Sequence, residues 1–398
     1  MKLNTQFGHI HQSATVAIAD RVLALRDSGK KIIPLQVGDP DFATPPAIMD
    51  AAIKAMREGF THYAPSRGYL DLRRAIASKI AKNNDISPDG VLPYDPETEI
   101  LVTHGGVHAY YLAMQSILNP GDEVMIPDPS WATHANMVKL LRCSVVRVPA
   151  PVENGFIPSI DAWESKLTNK TRAIVINYPA NPTGVYPARD YLQKLSDFAC
   201  AHDLWVVSDE VYDHLYYKEK PLSASVFPAA NGHTILVNSF SKTYAMTGWR
   251  VGYLAAPSRV IDNALKAGQN SITCVAPFIQ KAAHFALSDE NVQTHVADMR
   301  IAYTKRREIV MRVVQEHGRS PVDVVPPMGA FYFFLDFRSL KMSSLDICEQ
   351  ILEEKGVGLI PGSAFGEQGE GFVRMTIAAS NSDVEAGITA ILDWASTK

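Results

Sequence analysis

Short β-branched runs alternate with longer helical segments from Glu99 to Ala256, and no other feature constrains the fold as tightly. The runs are I-L-V-T at Ile100, E-V-M-I-P at Glu123, S-V-V-R-V at Ser144, R-A-I-V-I-N at Arg172, L-W-V-V-S-D-E at Leu204, H-T-I-L-V-N-S at His233 and R-V-G-Y-L at Arg250. Several are apolar almost throughout, the pattern of strands covered on both faces. The segments between them carry helix punctuation: V-H-A-Y-Y-L-A-M-Q-S-I-L follows Gly105-Gly106 and stops at N-P-G-D. The alternation predicts an α/β fold whose mostly parallel seven-stranded sheet is flanked by helices, with its ligand at the carboxyl ends of the strands.

Past Ser288 the pattern changes. A charged stretch, D-M-R-I-A-Y-T-K-R-R-E-I-V-M-R-V-V-Q-E, reads as one long helix, followed by F-Y-F-F-L-D-F, a helix around Ile347 to Glu354, and the strand-like F-V-R-M-T-I-A. With 398 residues the chain exceeds one ordinary core. The expected division is a large domain over residues 46–287 and a smaller α+β domain formed by residues 1–45 and 288–398.

Charge and cysteine usage narrow the function. A net charge of −4 provides no basic field for nucleic acid. The four cysteines lie far apart without a C-x-x-C pair, which suits a reducing cytoplasm and argues against a metal centre or a disulfide framework. The N-terminus lacks the apolar core of a signal peptide, and no run reaches membrane-spanning length. A cytoplasmic protein is expected.

Four local patterns carry chemistry. In N-S-F-S-K-T-Y-A-M-T-G-W-R-V-G-Y a single lysine, Lys242, sits among hydroxyls with Arg250 eight positions on. A lysine becomes nucleophilic where burial or neighbouring cations depress its pKa; a solvated loop lysine is the bland alternative. L-W-V-V-S-D-E-V-Y ends a buried strand on Asp209, with Tyr212 beyond; a buried acid needs a cationic or donor partner, or caps the next helix. N-Y-P-A-N-P-T-G is a rigid turn able to orient Asn181. T-H-G-G-V-H offers the N–H groups of Gly105, Gly106 and Val107 to a phosphate at a helix start.

Together with V-G-D-P-D-F at Val37 and the late F-V-R-M, these motifs resemble, in order and spacing from Ser13 to Arg374, a class I pyridoxal-phosphate-dependent aminotransferase of fold type I. The resemblance implies that Lys242 holds pyridoxal 5'-phosphate as a Schiff base, and that Ser239, Ser241 and Arg250 bind its phosphate with the N–H groups after Gly105. It implies Asp209 at the pyridinium nitrogen, Asn181 and Tyr212 at the phenolic oxygen, and Trp131 of D-P-S-W stacked on the ring. Arg374 and Gly38 would receive the substrate's α-carboxylate. Tyr63, in T-H-Y-A-P-S-R-G, would reach the phosphate of a neighbouring subunit, making a homodimer with shared active sites. The implied reaction moves the amino group of an amino acid to a 2-oxo acid such as 2-oxoglutarate with ping-pong kinetics, the freed Lys242 amine acting as base.

A carbon–sulfur β-lyase or a decarboxylase could use nearly the same residues. A ligand-sensing regulator with such a domain would need an added DNA-binding module, for which a core starting this early leaves no room, and a nicotinamide dehydrogenase lacks its fingerprint here. Some aspartate-active relatives carry a basic residue directly after the glycine pair; this chain has Val107 there, so broad specificity is expected, covering aspartate with aromatic and neutral donors, at least one of which matches it.

Overall fold

The computed structural model describes residue 8 and residues 14–84, 93–227, 232–318 and 320–398; Ser13 and most of the N-terminal segment before it lie outside the described residues. A helix, Ala14–Asp27, leads to the short strand β1 (Ile33–Pro34) and then to helices Pro46–Arg57 and Leu70–Asn84. The seven expected runs form β2 (Ile100–Thr103), β3 (Glu123–Asp128), β4 (Ser144–Pro149), β5 (Thr171–Asn177), β6 (Trp205–Asp209), β7 (Thr234–Ser239) and β8 (Gly252–Ala255). They make one sheet in the order β2-β8-β7-β6-β5-β3-β4. All its pairings are parallel except the two made by β8, which runs antiparallel to β2 and β7.

Alternation along each strand sends side chains to two separate cores. Ile100, Val102, Leu236 and Tyr253 pack with Ile48, Leu72, Ile76 and Ala282 on one face. Leu101, Ile235, Val237 and Leu254 pack with Tyr110, Leu112 and Ile261 on the other. With both faces sealed by helices, polar groups gather where the chain leaves the strands, and β5, β6 and β7 end side by side at Asn177, Asp209 and Ser239.

The long charged segment is the helix Glu290–His317, leading into an antiparallel sheet of β9 (Asp323–Val324), β10 (Tyr332–Asp336), β12 (Ile360–Pro361) and β13 (Phe372–Thr376) in the order β12-β13-β10-β9. Strand β11 (Val357–Gly358) pairs instead with β1, tying the N-terminal segment to this sheet's surroundings. On one face Phe333, Val373 and Met375 share a core with Ile347, Ile388 and Trp394. On the other, Phe334 and Phe372 stack 4.9 Å apart beside Arg374, which lies opposite Phe334 in the register. Among the described residues no helix is long and apolar enough to cross a membrane.

One ion pair fixes the segment that carries Gly38. Arg306, on the long helix, grips both carboxylate oxygens of Asp41 at 2.7 Å and also donates to Asn381 Oδ1 and the Ile377 carbonyl. Removing one partner of a largely buried pair leaves the other uncompensated. Arg306→Ala is therefore expected to lower unfolding stability by about 2–4 kcal/mol, read from urea unfolding; a loss under about 1 kcal/mol would show that the segment is held by its other contacts.

Candidate functional site

Five chain segments leave the large sheet at one edge and, with the second sheet, enclose a cavity of about 450 Å³. Among its walls are Gly38, Gly106, Val107, Trp131, Asn181, Asp209, Tyr212, Ser239, Ser241, Lys242, Arg250 and Arg374. Two of the residues singled out in the sequence stand elsewhere. Tyr63 is 86% exposed, in the loop between two helices. Gly105 lies behind Arg250, at φ +76°, where a Cβ would stand 2.5 Å from Arg250 Nη2; only glycine lets the guanidinium approach the helix start so closely.

Lys242 follows β7 on a segment anchored by buried aromatics. Phe240 and Tyr244 sit in the core, and Phe240 N–H donates to the Val251 carbonyl. Thr243 Oγ1 donates to Asp213, whose carboxylate also accepts from Asn238 at 3.1 Å, Asn83 at 3.2 Å and Lys79 at 2.8 Å. This buried hub binds the lysine's segment to β7 and to the helix Leu70–Asn84. The Lys242 ammonium donates to the Gly38 carbonyl in a short hydrogen bond. Burial brings its pKa down to about 8, with Arg374 and Arg250 pushing the same way and Asp39 and Asp209 opposing. The amine is thus poised to lose its proton near neutrality, as a nucleophile or base requires.

Asp209, 4% exposed at the end of β6, accepts from His134 Nε2 at 3.0 Å and from the Val211 N–H. His134 stands three residues beyond Trp131, on the next helix, and the two rings meet edge to face at 5.1 Å. Asn177 bridges neighbouring strands: its amide donates to the Asp209 carbonyl and its oxygen accepts the Asn181 N–H, so the N-P-T-G turn is registered against the acid. Arg250 adopts a left-handed backbone, φ +53°, and donates to the Thr247 carbonyl while its guanidinium lies at the start of helix Gly105–Ile117. Arginine, two serine hydroxyls and helix N–H groups at one end of a cavity suit an anion such as phosphate.

Arg374 is 2% exposed. It donates to Asn181 Oδ1 at 2.9 Å and to the Gln36 carbonyl at 2.8 Å, and lies 4.4 Å over the Tyr332 ring. Its Nε finds no partner and, among the described residues, no carboxylate pairs with it. Burial accordingly pushes its pKa below the usual arginine value.

His134, Asn177 and Tyr332 were not singled out from the sequence. His134 had a signal, its place three residues beyond Trp131, in the first turn of the helix that Trp131 caps. Tyr332, inside F-Y-F-F, reads as a core strand residue, and only the approach of the two sheets brings its hydroxyl to the cavity.

The family model described as "Aminotransferase class I and II" matches residues 30–391. The chain is 41% identical over 357 residues to an aspartate aminotransferase of Pyrococcus abyssi, covering 89% of this chain and 90% of that one. It is 40% identical over 355 residues to aromatic-amino-acid aminotransferase 2 of Thermococcus litoralis, covering 89% of each. Among solved structures, the aspartate aminotransferase from Thermus thermophilus with maleate superposes with a TM-score of 0.92 at 34% identity over 99% of both chains.

The Lys242 environment makes a prediction on the cofactor-free protein. Its folded pKa, about 8, lies below the ordinary value of 10.5, so the unfolded chain binds more protons between those limits. The charge therefore costs stability at pH 7, and the cost fades as pH rises from 8 to 10.5. Lys242→Met should stabilise the apoprotein by about 1–3 kcal/mol at pH 7, with the gain shrinking toward pH 10.5. A pH-independent difference in urea midpoint would contradict this.

Proposed function

We propose a role for each group around the cavity from one premise: the chain belongs to the class I and II aminotransferases, is pyridoxal-phosphate-dependent, and is an amino-acid transaminase. The groups present fit that cofactor. Arg250, Ser239, Ser241 and the N–H groups of Gly106 and Val107 would hold its phosphate. Asp209, kept in place by His134, would pair with the ring nitrogen; Asn181 and Tyr212 would bind the phenolic oxygen, and Trp131 would cover the ring face. Lys242, with its depressed pKa, is the amine that would carry the group covalently. When bound, the cofactor supplies an electron sink next to the substrate's α-carbon.

The observation that carries the reading is the buried Arg374 guanidinium without an acidic partner, facing the same cavity as the Lys242 amine. A cation held that deep is stabilised by a carboxylate that arrives with the substrate. Arg374 and the backbone at Gly38 then orient the amino acid so that its α-carbon lies in reach of Lys242, which takes and returns the proton there as general base and acid. Asn181, bonded to Arg374, couples carboxylate binding to the far side of the ring site.

Relatives are named for aspartate and for aromatic amino acids. Among the described residues the cations lining the cavity are Lys242, Arg250 and Arg374, all with assigned tasks, and Val107 stands at the wall where a basic residue would serve a distal carboxylate. Broad specificity follows, in a cytoplasmic setting that the four unpaired cysteines suit. In assays with 2-oxoglutarate, at least one aromatic or neutral donor should match aspartate in kcat/KM, and Arg374→Ala should raise KM for these donors about a hundredfold (about 2.7 kcal/mol) while leaving an amine without a carboxylate nearly unaffected. Equal loss for both would remove Arg374 from carboxylate binding, and release of pyruvate and ammonia without a keto acid would reassign the reaction to a lyase.

The largely exposed Tyr63 does not line its own chain's cavity and suits an interface. We assign it to the phosphate of the partner subunit in a homodimer. Mixing inactive Lys242→Ala subunits with impaired Tyr63→Phe subunits should restore activity through one intact hybrid site; no recovery after verified exchange would exclude a shared site.

A further inference from the structure

We propose that Tyr332 is a positioning residue of the transamination: its hydroxyl donates to the Tyr212 hydroxyl, which aims the Tyr212 proton into the cavity. The inference rests on the reading above, in which Tyr212 hydrogen-bonds the cofactor's phenolic oxygen.

The two hydroxyls are 2.9 Å apart, both tyrosines are buried, and both line the cavity. Neither hydroxyl has another hydrogen-bond partner among the described residues. Only one proton can lie between two oxygens, so the second is available for donation elsewhere, and its owner depends on which tyrosine donates. The surroundings decide it. The Tyr332 ring lies under the Arg374 guanidinium at 4.4 Å, and its oxygen abuts Gly38, where a Cβ would stand 2.7 Å away. Alanine at position 38 would displace the hydroxyl.

The charged groups facing the pair come from four elements. Arg374 on β13 covers the Tyr332 ring at 4.4 Å and is opposed there by Asp39 beyond β1; Arg374 and Asp209 at the end of β6 act on Tyr212 in opposite senses; and the Lys242 ammonium, beyond β7, lines the same cavity and donates to the Gly38 carbonyl. Arg374 weighs more on Tyr332, whose ring it covers, than on Tyr212, so Tyr332 is the stronger acid of the two and donates, and Tyr212 keeps its own proton for an acceptor in the cavity. Consecutive hydrogen bonds polarise one another, so the Tyr332 contact strengthens the one Tyr212 makes. The Tyr212 ring is held for this by edge contacts with Phe331 at 5.5 Å and Tyr332 at 5.8 Å. Because Tyr332 also stacks on Arg374, one side chain ties the carboxylate-binding arginine to the group at the ring oxygen.

The test is a double-mutant cycle on the holoenzyme with Tyr332→Phe, Tyr212→Phe and the pair, reading the pH midpoint of the cofactor's visible band, kcat and KM. Loss of the Tyr332 donor weakens support for the ionised ring oxygen, so the midpoint should rise. Kcat should fall about tenfold, the equivalent of one hydrogen bond, with KM changed less than about threefold. In the Tyr212→Phe background the same substitution should alter midpoint and kcat less than about twofold, because its effect passes through Tyr212. Additive effects, or an unmoved midpoint with only a lowered Tm, would overturn the proposal by making Tyr332 merely structural. Fluorotyrosine at position 332, a stronger donor that preserves packing, should move the midpoint downward; a shift upward or none would likewise overturn it. A wild-type protein with no visible cofactor band would instead defeat the underlying reading of the site, a result distinct from an unshifted midpoint.

Discussion

The hydrogen bond from Arg374 to Asn181 spans the cavity between the two sheets and joins residues 193 positions apart. On one side the guanidinium is set in a strand whose opposite face is fully packed, so it cannot withdraw to water. On the other, Asn181 is locked through Asn177 to the strand ending in Asp209. The geometry of the site depends on this contact because it fixes the guanidinium, and with it the place proposed for a substrate carboxylate, relative to the acid and the amine. A cation fixed there without a counter-ion is costly, and the fold tolerates it through two hydrogen bonds and the faces of Tyr332 and Phe365.

Charge placement around the cavity divides the labour. Burial holds the Lys242 amine near neutrality, and two guanidinia reinforce that while Asp209 and Asp39 resist it. Asp209 would sit opposite a ring nitrogen, with His134 as its permanent neighbour. Behind them, Asp213 collects Lys79, Asn83, Asn238 and Thr243 into a buried network that fixes the segment carrying Lys242 and reaches the cavity wall where Asn238 Oδ1 accepts the Ser239 N–H. Such an arrangement holds reacting groups in place before substrate arrives, which is where much of an enzyme's rate advantage originates.

The relation between residue pattern and fold is uneven along the chain. The seven β-branched runs became seven strands because burial on both faces demands near-continuous apolar character, a local and readable property. The helix Glu290–His317 was equally plain from its charged periodicity. The antiparallel insertion of β8 between β2 and β7 was not readable, since hydrogen-bond direction is decided by chain connection rather than by side-chain pattern. In the site, Lys242, Asp209 and Asn181 stood in recognisable turns at strand ends, whereas Tyr332 was hidden inside an apolar strand and His134 was marked only by its spacing from Trp131.

From residue order come the layered α/β plan and the edge of the sheet at which a ligand is expected, because periodicity and turn chemistry are local, while most polar groups there were named through the resemblance that their motifs carry. Whether Arg374 is a surface arginine or a buried one, whether Arg250 lies against Gly105, and whether Tyr332 touches Tyr212 were settled by packing. Those facts depend on how β10 and β13 lie against the carboxyl edge of the large sheet, a relation between segments more than a hundred residues apart that no local pattern encodes.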